Sequence, residues 1–527
     1  MAANYNVARF FQDFTTPDAH IRILCGYDSM CSEAQTLSQG SLMRSILETW
    51  DFPNRSDGSP PWTSIGTQGP STFGRTVFSL DMSSHGWTKT NSKAPGGAAA
   101  VGGEGLGGPA SGGETGVSPN PYSDWTIAAG SSRTAYVADG NSAGVAFHVC
   151  VWNPPPSGGT GRTFGFVGFP DCFAGRQCNA RMLFTKNTAG PTDMRLQGCR
   201  QLWSTSTMSA ANTAYVGSKT TLDMSGSGYT AQDVDCGTGE GSPGFVLINP
   251  TSPTGASTLR MYITGCRIYR GSSGLPDTAG VHIATLAQGA NSDVHQASLL
   301  GVADMTTGQS NVNARTPNPY VSVANARAYI SSLVGGSTGA TSYPNRIIIY
   351  TGHNLSDAEV TELASGQSAT MLAALGGIMT QHTANAAALG SEAPRFLILC
   401  AEKFYSGYST TVRDNKRNTC AAAAVAFGAN ASFIDLYDYT NDGSADDTAM
   451  WYCRHNAGRA IAGSSAGPII DSSPDRVHNS YAGANYIARL VWEIGMEARG
   501  VSVGLLRGPR STFRRGGGGA VRARGRG

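Results

Sequence analysis

The sequence predicts an α/β fold interrupted by an inserted all-β sandwich. Three observations point to it. From about residue 278 onward, short apolar strands alternate with helical patterns, as parallel strands covered on both faces require. A strand of the same buried character, Ile21 to Cys25, stands near the N-terminus without partners nearby in the chain. Between about 122 and 270 the apolar runs are short, several alternate in period two, and helical patterns are nearly absent. One α/β domain with a β domain placed after its first helix accounts for all three, and insertion at an exposed loop is structurally cheap.

Residues 21–29 read as a buried strand ending at the turn Gly26-Tyr27-Asp28-Ser29. Residues 31–50 read as a helix whose apolar face holds Leu37, Leu42, Ile46 and Leu47. From about 53, Pro, Gly, Ser and Thr dominate, and 94–116 is a flexible low-complexity segment. The sandwich strands are TAYVA, GVAFHVCVW, RTFGFVGF, ARMLFT, GFVLINP and LRMYITGCRIYR. Beyond them GVHIATL, NRIIIYTG, RFLILCA and SFIDLYD read as strands. Helices fall at SVANARAYISSLVG, through 356–387 with Ser356 and Glu359 in capping-box spacing, through RNTCAAAAVAFG, and through GANYIARLVWEIGME.

The composition fits this reading. The chain has 527 residues with 68 glycines and only 14% charged residues, which favours turns and sheet over long charged helices. The net charge is +2, but the last 21 residues hold seven arginines and no acid, so the remainder is about −5. Only that Arg/Gly tail offers a polyanion such as nucleic acid a surface, and a disordered tether is the equal alternative. No apolar run approaches the ~20 residues of a membrane span. The N-terminus lacks a signal pattern, so a cytoplasmic or virion-associated location is expected. The eleven cysteines form no zinc spacing; Cys172 and Cys178 lie close enough to bridge, and buried free thiols are expected for most.

In parallel α/β sheets, reactive residues sit just past the C-terminal strand ends. Past the first strand come Asp28 and Ser29, past the second Gln288 to Asn291, and past the third Gly352, His353 and Asn354. Asp475 and His478, three apart, precede the last helix. A serine hydroxyl is a weak nucleophile without a base. His478 can take its proton, and Asp475 can hold the imidazole and stabilise its charged form. The N–H of Ser29, the N–H of Gly289 and the Asn354 amide can serve a developing oxyanion.

These blocks resemble those of the SGNH, or GDSL-type, hydrolases: a Ser block, a Gly block, a G-x-N block and a D-x-x-H block, in that order, over 21–50 and 278–497. The resemblance implies Ser29 as nucleophile, Gly289 and Asn354 as oxyanion donors, and Asp475 and His478 as the rest of the triad. It implies a flavodoxin-like three-layer α/β/α fold and ester hydrolysis by acyl transfer, with no metal and no cofactor. Two positions depart from the family pattern: Tyr27 stands where its first block has glycine, and Leu355 follows Asn354 where Asp is usual. A β module between the Ser and Gly blocks is found in some carbohydrate O-acetyl esterases of that family. The expected substrate is therefore an O-acetyl group on a polysaccharide or glycan. The rival reading is a structural or adhesive, virion-associated glycan-binding protein with a vestigial hydrolase domain.

The expected division is 1–52 and 278–500 for the hydrolase domain, 53–121 for a linker and the start of the insert, 122–277 for the β-sandwich, and 501–527 for a disordered tail. Other candidates read as structural. Residues 438–447 resemble a calcium loop but fail the EF-hand pattern at Thr440 and Ala449. His353 reads first as a solvated loop residue and second as a substrate contact; His282 reads as a core or interface histidine. Cys25 and Cys31 read as packing residues. Of the eight tryptophans, Trp62, Trp87, Trp125, Trp152 and Trp203 fall in the insert region, with core packing the first reading and sugar stacking the second.

Overall fold

A computed structural model describes residues 4–27, 31, 42–68, 77–78, 87–91, 148–152, 162–167, 173, 175–186, 194–201, 213–223, 225, 228–240, 242–248, 260–272, 275–276, 279–287, 297, 300, 323–334, 342–352, 355–400, 408–440 and 481–501. The first strands in the chain are β1 (Ile21–Tyr27), β2 (Trp62–Gln68), β3 (Val77–Phe78), β4 (Trp87–Asn91), β5 (His148–Trp152) and β6 (Arg162–Val167). Next come β7 (Asn179–Lys186), β8 (Arg195–Gln201), β9 (Thr213–Thr221), β10 (Gly228–Asp235), β11 (Ser242–Ile248) and β12 (Arg260–Tyr269). A two-residue hairpin, β13 (Gly271–Ser272) and β14 (Leu275–Pro276), leads to β15 (Val281–Ala287), β16 (Arg346–Thr351), β17 (Arg395–Cys400) and β18 (Ala431–Asp435). The helices are α1 (Val7–Phe10), α2 (Leu42–Thr49), α3 (Val323–Val334), α4 (Asp357–Leu363), α5 (Ala369–Ala388), α6 (Thr410–Phe427), α7 (Leu436–Thr440) and α8 (Tyr481–Ala498).

Among the described residues, one 11-stranded sheet runs through the molecule in the order β10-β7-β12-β2-β15-β1-β16-β17-β18, with β5 also paired to β12 and β4 to β5. From β2 to β18 neighbouring strands are parallel. From β2 outward through β12, β7 and β10 they are antiparallel. A separate five-stranded antiparallel sheet, β3-β6-β11-β8-β9, forms a second layer on the β side. The fold is thus α/β with an additional antiparallel β part.

Strands β1, β16 and β17 are mostly apolar because both faces are covered. Ile23 and Cys25 of β1 and Ile348 and Tyr350 of β16 join one core with Phe10, Ile46 and Ile487 of α1, α2 and α8. Leu24, Ile347 and Ile349 face the other core with Ile330, Ile378 and Ala424 of α3, α5 and α6. Alternating residues of one strand therefore serve opposite layers. All six residues of β16 and of β17 are buried.

The helical stretch after β16 is broken at Ser365-Gly366 into α4 and α5. Ser356 caps α4 in a complete capping box with Glu359, and Ser368 caps α5 by accepting from Met371 N–H. In α8, Gly495 is required by close packing: a Cβ there would lie 2.5 Å from the Phe11 ring. Strand β2 falls inside the stretch expected to be linker and the start of the insert, yet it is a strand of the central sheet. Gly66 in it lets the strand approach α3; a Cβ would come 2.2 Å from the Leu333 carbonyl oxygen. Composition obscured this strand because its run, WTSIGTQ, is short and mostly polar.

Candidate active site

All five residues proposed from the sequence, Ser29, Gly289, Asn354, Asp475 and His478, lie outside the described residues, as does His353. The elements that lead to them are described. Strands β15, β1 and β16 are adjacent and parallel, and Tyr27 is level with Ala287 on one side and Tyr350 on the other. Ser29 follows two residues after Tyr27, Gly289 two after Ala287, and Asn354 three after Thr351. The three chain exits thus stand side by side on one sheet edge, about 4.8 Å apart from strand to strand.

Helix α8 enters from the same edge. Its C-terminal half lies at the opposite edge, where Arg499 donates to Phe11 O at 2.8 Å and Arg346, first residue of β16, donates to Phe10 O at 2.8 Å. Eighteen helical residues span about 27 Å, so Tyr481 heads toward the strand C-termini. His478 precedes Tyr481 by three residues. Helix α2, the first helix after the Ser block, packs on α8: Trp50 Nε1 donates to Ala488 O at 2.8 Å and Asn485 Nδ2 to Glu48 Oε2 at 3.1 Å.

The turn after β1 is held at its described ends. Cys31 Sγ contacts Gly26 O at 3.5 Å, and the Thr285 hydroxyl lies 3.0 Å from Cys31 O and 3.3 Å from Cys25 O. Its one proton favours the nearer. Thr285 thus ties the segment after the turn to β15, two residues before that strand ends. Burial pushes the Cys25 thiol pKa up, so it stays protonated and unreactive. Both Cys25 and Cys31 are fully buried packing residues, as expected.

The end of β16 is held by Lys416 and Tyr408, which sequence reasoning missed, and by the Ser356–Glu359 capping box, which it read. Lys416 on α6, only 6% exposed, donates to Thr351 O at 3.2 Å and to Gly352 O. Past the undescribed pair, Leu355 N–H bonds to the Tyr408 hydroxyl. Ser356 N–H and Oγ donate to Glu359 Oε2 at 2.6 and 2.8 Å. Glu359 is fully buried, and desolvation raises its carboxyl pKa against the pull of the Ser356 bonds and of Lys416. The next residue on α6, Arg417, turns to the end of β18 and pairs with Asp435 at 2.6 Å and with Asp438. A signal for Lys416 existed: Lys416, Cys420 and Ala423 share a helical face, so a cation sits on the apolar stripe.

The remaining candidates fall as follows. His282 is buried and its Nδ1 lies 3.0 Å from Ser64 Oγ, a core histidine as expected. Trp62 is in the core; nothing is described of the other four tryptophan side chains of the insert region. Seven described cysteines, Cys178 among them, are free thiols, and Cys172 lies outside. Of the calcium-like loop only Asp438 to Thr440 are described, and Asp438 is engaged by Arg417. Among the described residues no group of three or more His, Cys, Asp or Glu could hold a metal ion. No described helix is long and apolar enough to cross a membrane.

No family model matches the chain, and no curated protein matches it. Solved structures do. The chain is similar to a family two carbohydrate esterase from Clostridium thermocellum in complex with cellohexaose, at 12% identity over 62% of this chain and 94% of that one, TM-score 0.25. It is similar to a GDSL-like lipase from Bacteroides ovatus, at 10% identity over 62% of this chain and 84% of that one, TM-score 0.22. It is also similar to a family 16 carbohydrate binding module, at 16% identity over 21% of this chain and 72% of that one, TM-score 0.14. GDSL-like is the type that the sequence blocks resemble. The TM-scores are low, so strand order and register, not superposition, carry the reading of the fold.

Proposed function

We propose that this chain is a serine ester hydrolase of the SGNH type. One observation carries the reading: three adjacent, level, parallel strands end within two or three residues of the Gly, Ser and G-x-N blocks. In the proposed mechanism His478 takes the Ser29 proton as the hydroxyl attacks the acyl carbon, while Asp475 steadies the imidazolium. The Ser29 and Gly289 N–H groups and the Asn354 amide stabilise the tetrahedral oxyanion. His478 then protonates the leaving alcohol, and water repeats the sequence on the acyl-enzyme. The proposed substrate is an O-acetyl group on a polysaccharide or glycan. It is supported by the antiparallel β part inserted between the Ser and Gly blocks, as in some carbohydrate O-acetyl esterases of the resembled family. The test is hydrolysis of a chromogenic acetyl ester and acetate release from acetylated xylan by the wild type and by Ser29→Ala. Turnover lost in a variant that still folds supports the assignment; equal turnover in both contradicts it. Glycan binding without turnover by the wild type would favour the adhesive reading.

A further inference from the structure

The chain around Asn354 is gripped from outside on both flanks. Before it, the ammonium of Lys416 binds the carbonyls of Thr351 and Gly352. After it, the Tyr408 hydroxyl takes the Leu355 N–H, and the Glu359 carboxylate takes the Ser356 N–H. Lys416 and Glu359 are buried, and each feels the other's charge. Taking an ammonium out of water is costly, and a surface bend needs no such cation because water serves its carbonyls. Arg417, beside Lys416 on α6, pairs with carboxylates at the end of β18. Lys416 reaches past β17 in the other direction, to the backbone end of β16.

We propose that Lys416, Tyr408 and Glu359 are positioning residues: they hold the backbone at Thr351 and Gly352 and at Leu355 and Ser356, on either side of Asn354, and the contribution of Asn354 as an oxyanion donor depends on them. This rests on the hydrolase reading above. An oxyanion donor acts only if held within about 0.5 Å of its productive place, which a loop achieves only when braced. The brace comes from two helices, α4 and α6, with Tyr408 just ahead of the α6 cap at Ser409.

The test is steady-state kinetics on a chromogenic acetyl ester for Lys416→Met, Tyr408→Phe, Asn354→Ala and the Lys416→Met/Asn354→Ala pair, with the fold checked by thermal melting. Removing an oxyanion donor costs about 10²–10³ in kcat, so misaiming one should cost about tenfold in Lys416→Met, with KM within about twofold. Tyr408→Phe, which removes one oxygen atom, should lower kcat about threefold and provides the test if Lys416→Met does not fold. In the Asn354→Ala background, Lys416→Met should add less than about twofold. The acid limb of the pH profile should stay in place in every variant. Wild-type kcat in Lys416→Met or Tyr408→Phe overturns the inference while leaving the hydrolase reading intact, and so does an undiminished Lys416→Met effect without Asn354. A wild-type chain that turns over no ester overturns both.

Discussion

The two halves of the central sheet solve the same burial problem differently. In the parallel half, β15 through β18, helices cover both faces and the interior is apolar; β16 reads RIIIYT with every residue buried. In the antiparallel half, β12, β7 and β10 bury charge. Arg181 and Arg267 are both fully buried. Arg181 binds Asp233 through two bonds of 2.9 Å, and Tyr269 OH donates to the same carboxylate at 2.6 Å. Both guanidinium groups lie over the Tyr269 ring, at 5.8 and 5.2 Å. Burial, with Arg181 close by, lowers the Arg267 pKa to about 9. The halves share a polar seam: Arg267 donates to Ser64 Oγ at 3.1 Å, which meets His282 Nδ1 at 3.0 Å. The β part is therefore fused to the parallel half through one sheet, with β2 paired parallel to β15 and antiparallel to β12. The helix-covered strands are thus held by apolar packing on both faces, whereas the antiparallel strands also bury paired charge.

The largest expected effect lies at the end of the parallel half. His478→Ala should lower ester turnover by at least about 10⁴-fold and leave the melting profile unchanged, as measured by initial rates and circular dichroism. In the antiparallel half, Arg181→Met should destabilise the chain by about 3 kcal/mol, because the Asp233 carboxylate loses its cation. Denaturant melts should show the whole chain shifting in one transition, since the sheet is continuous. A separate early transition for the β part would break the comparison. At the joint, Gly66→Ala should cost about 2 kcal/mol, because its Cβ displaces α3; denaturant midpoints measure this. The last effect is a pH dependence that arises from a group in the helix-covered half. His382 is fully buried, and desolvation lowers its pKa to about 3, with Tyr343 OH at 2.8 Å from Nδ1. The unfolded chain takes up this proton near pH 6.5 while the folded chain refuses it. Stability from this group is complete above pH 6.5 and declines as the pH falls toward 3. Urea midpoints at pH 7.5 and 5 should show the decline, and His382→Gln should make it shallower.

Most of the parallel half was legible in the sequence, because strands buried on both faces leave uninterrupted apolar runs such as RIIIYT and RFLILC. The capping box at Ser356 was legible because its residue types are dictated by backbone geometry. Strand β2 was not, since its pairing with β15 joins segments more than two hundred residues apart and its composition is that of a turn-rich stretch. The helix α6 was read through RNTCAAAAVAFG, from Arg417 onward, which left Lys416 just before it unexamined. The bonds of Lys416 are to backbone carbonyls, and no sequence pattern announces such partners. Thr285 was equally silent: it reads as a β-branched strand residue, and its tie to Cys31 depends on which strands become neighbours.

The central claim is that Ser29 is an activated nucleophile at the end of β1. A fluorophosphonate probe, which reacts covalently with activated serines irrespective of substrate, tests it most directly when followed by peptide mapping of the labelled chain. A single adduct on Ser29 is expected, absent in His478→Ala and in heat-unfolded protein. An unlabelled native chain, or label spread over other serines with Ser29 free, would contradict the account.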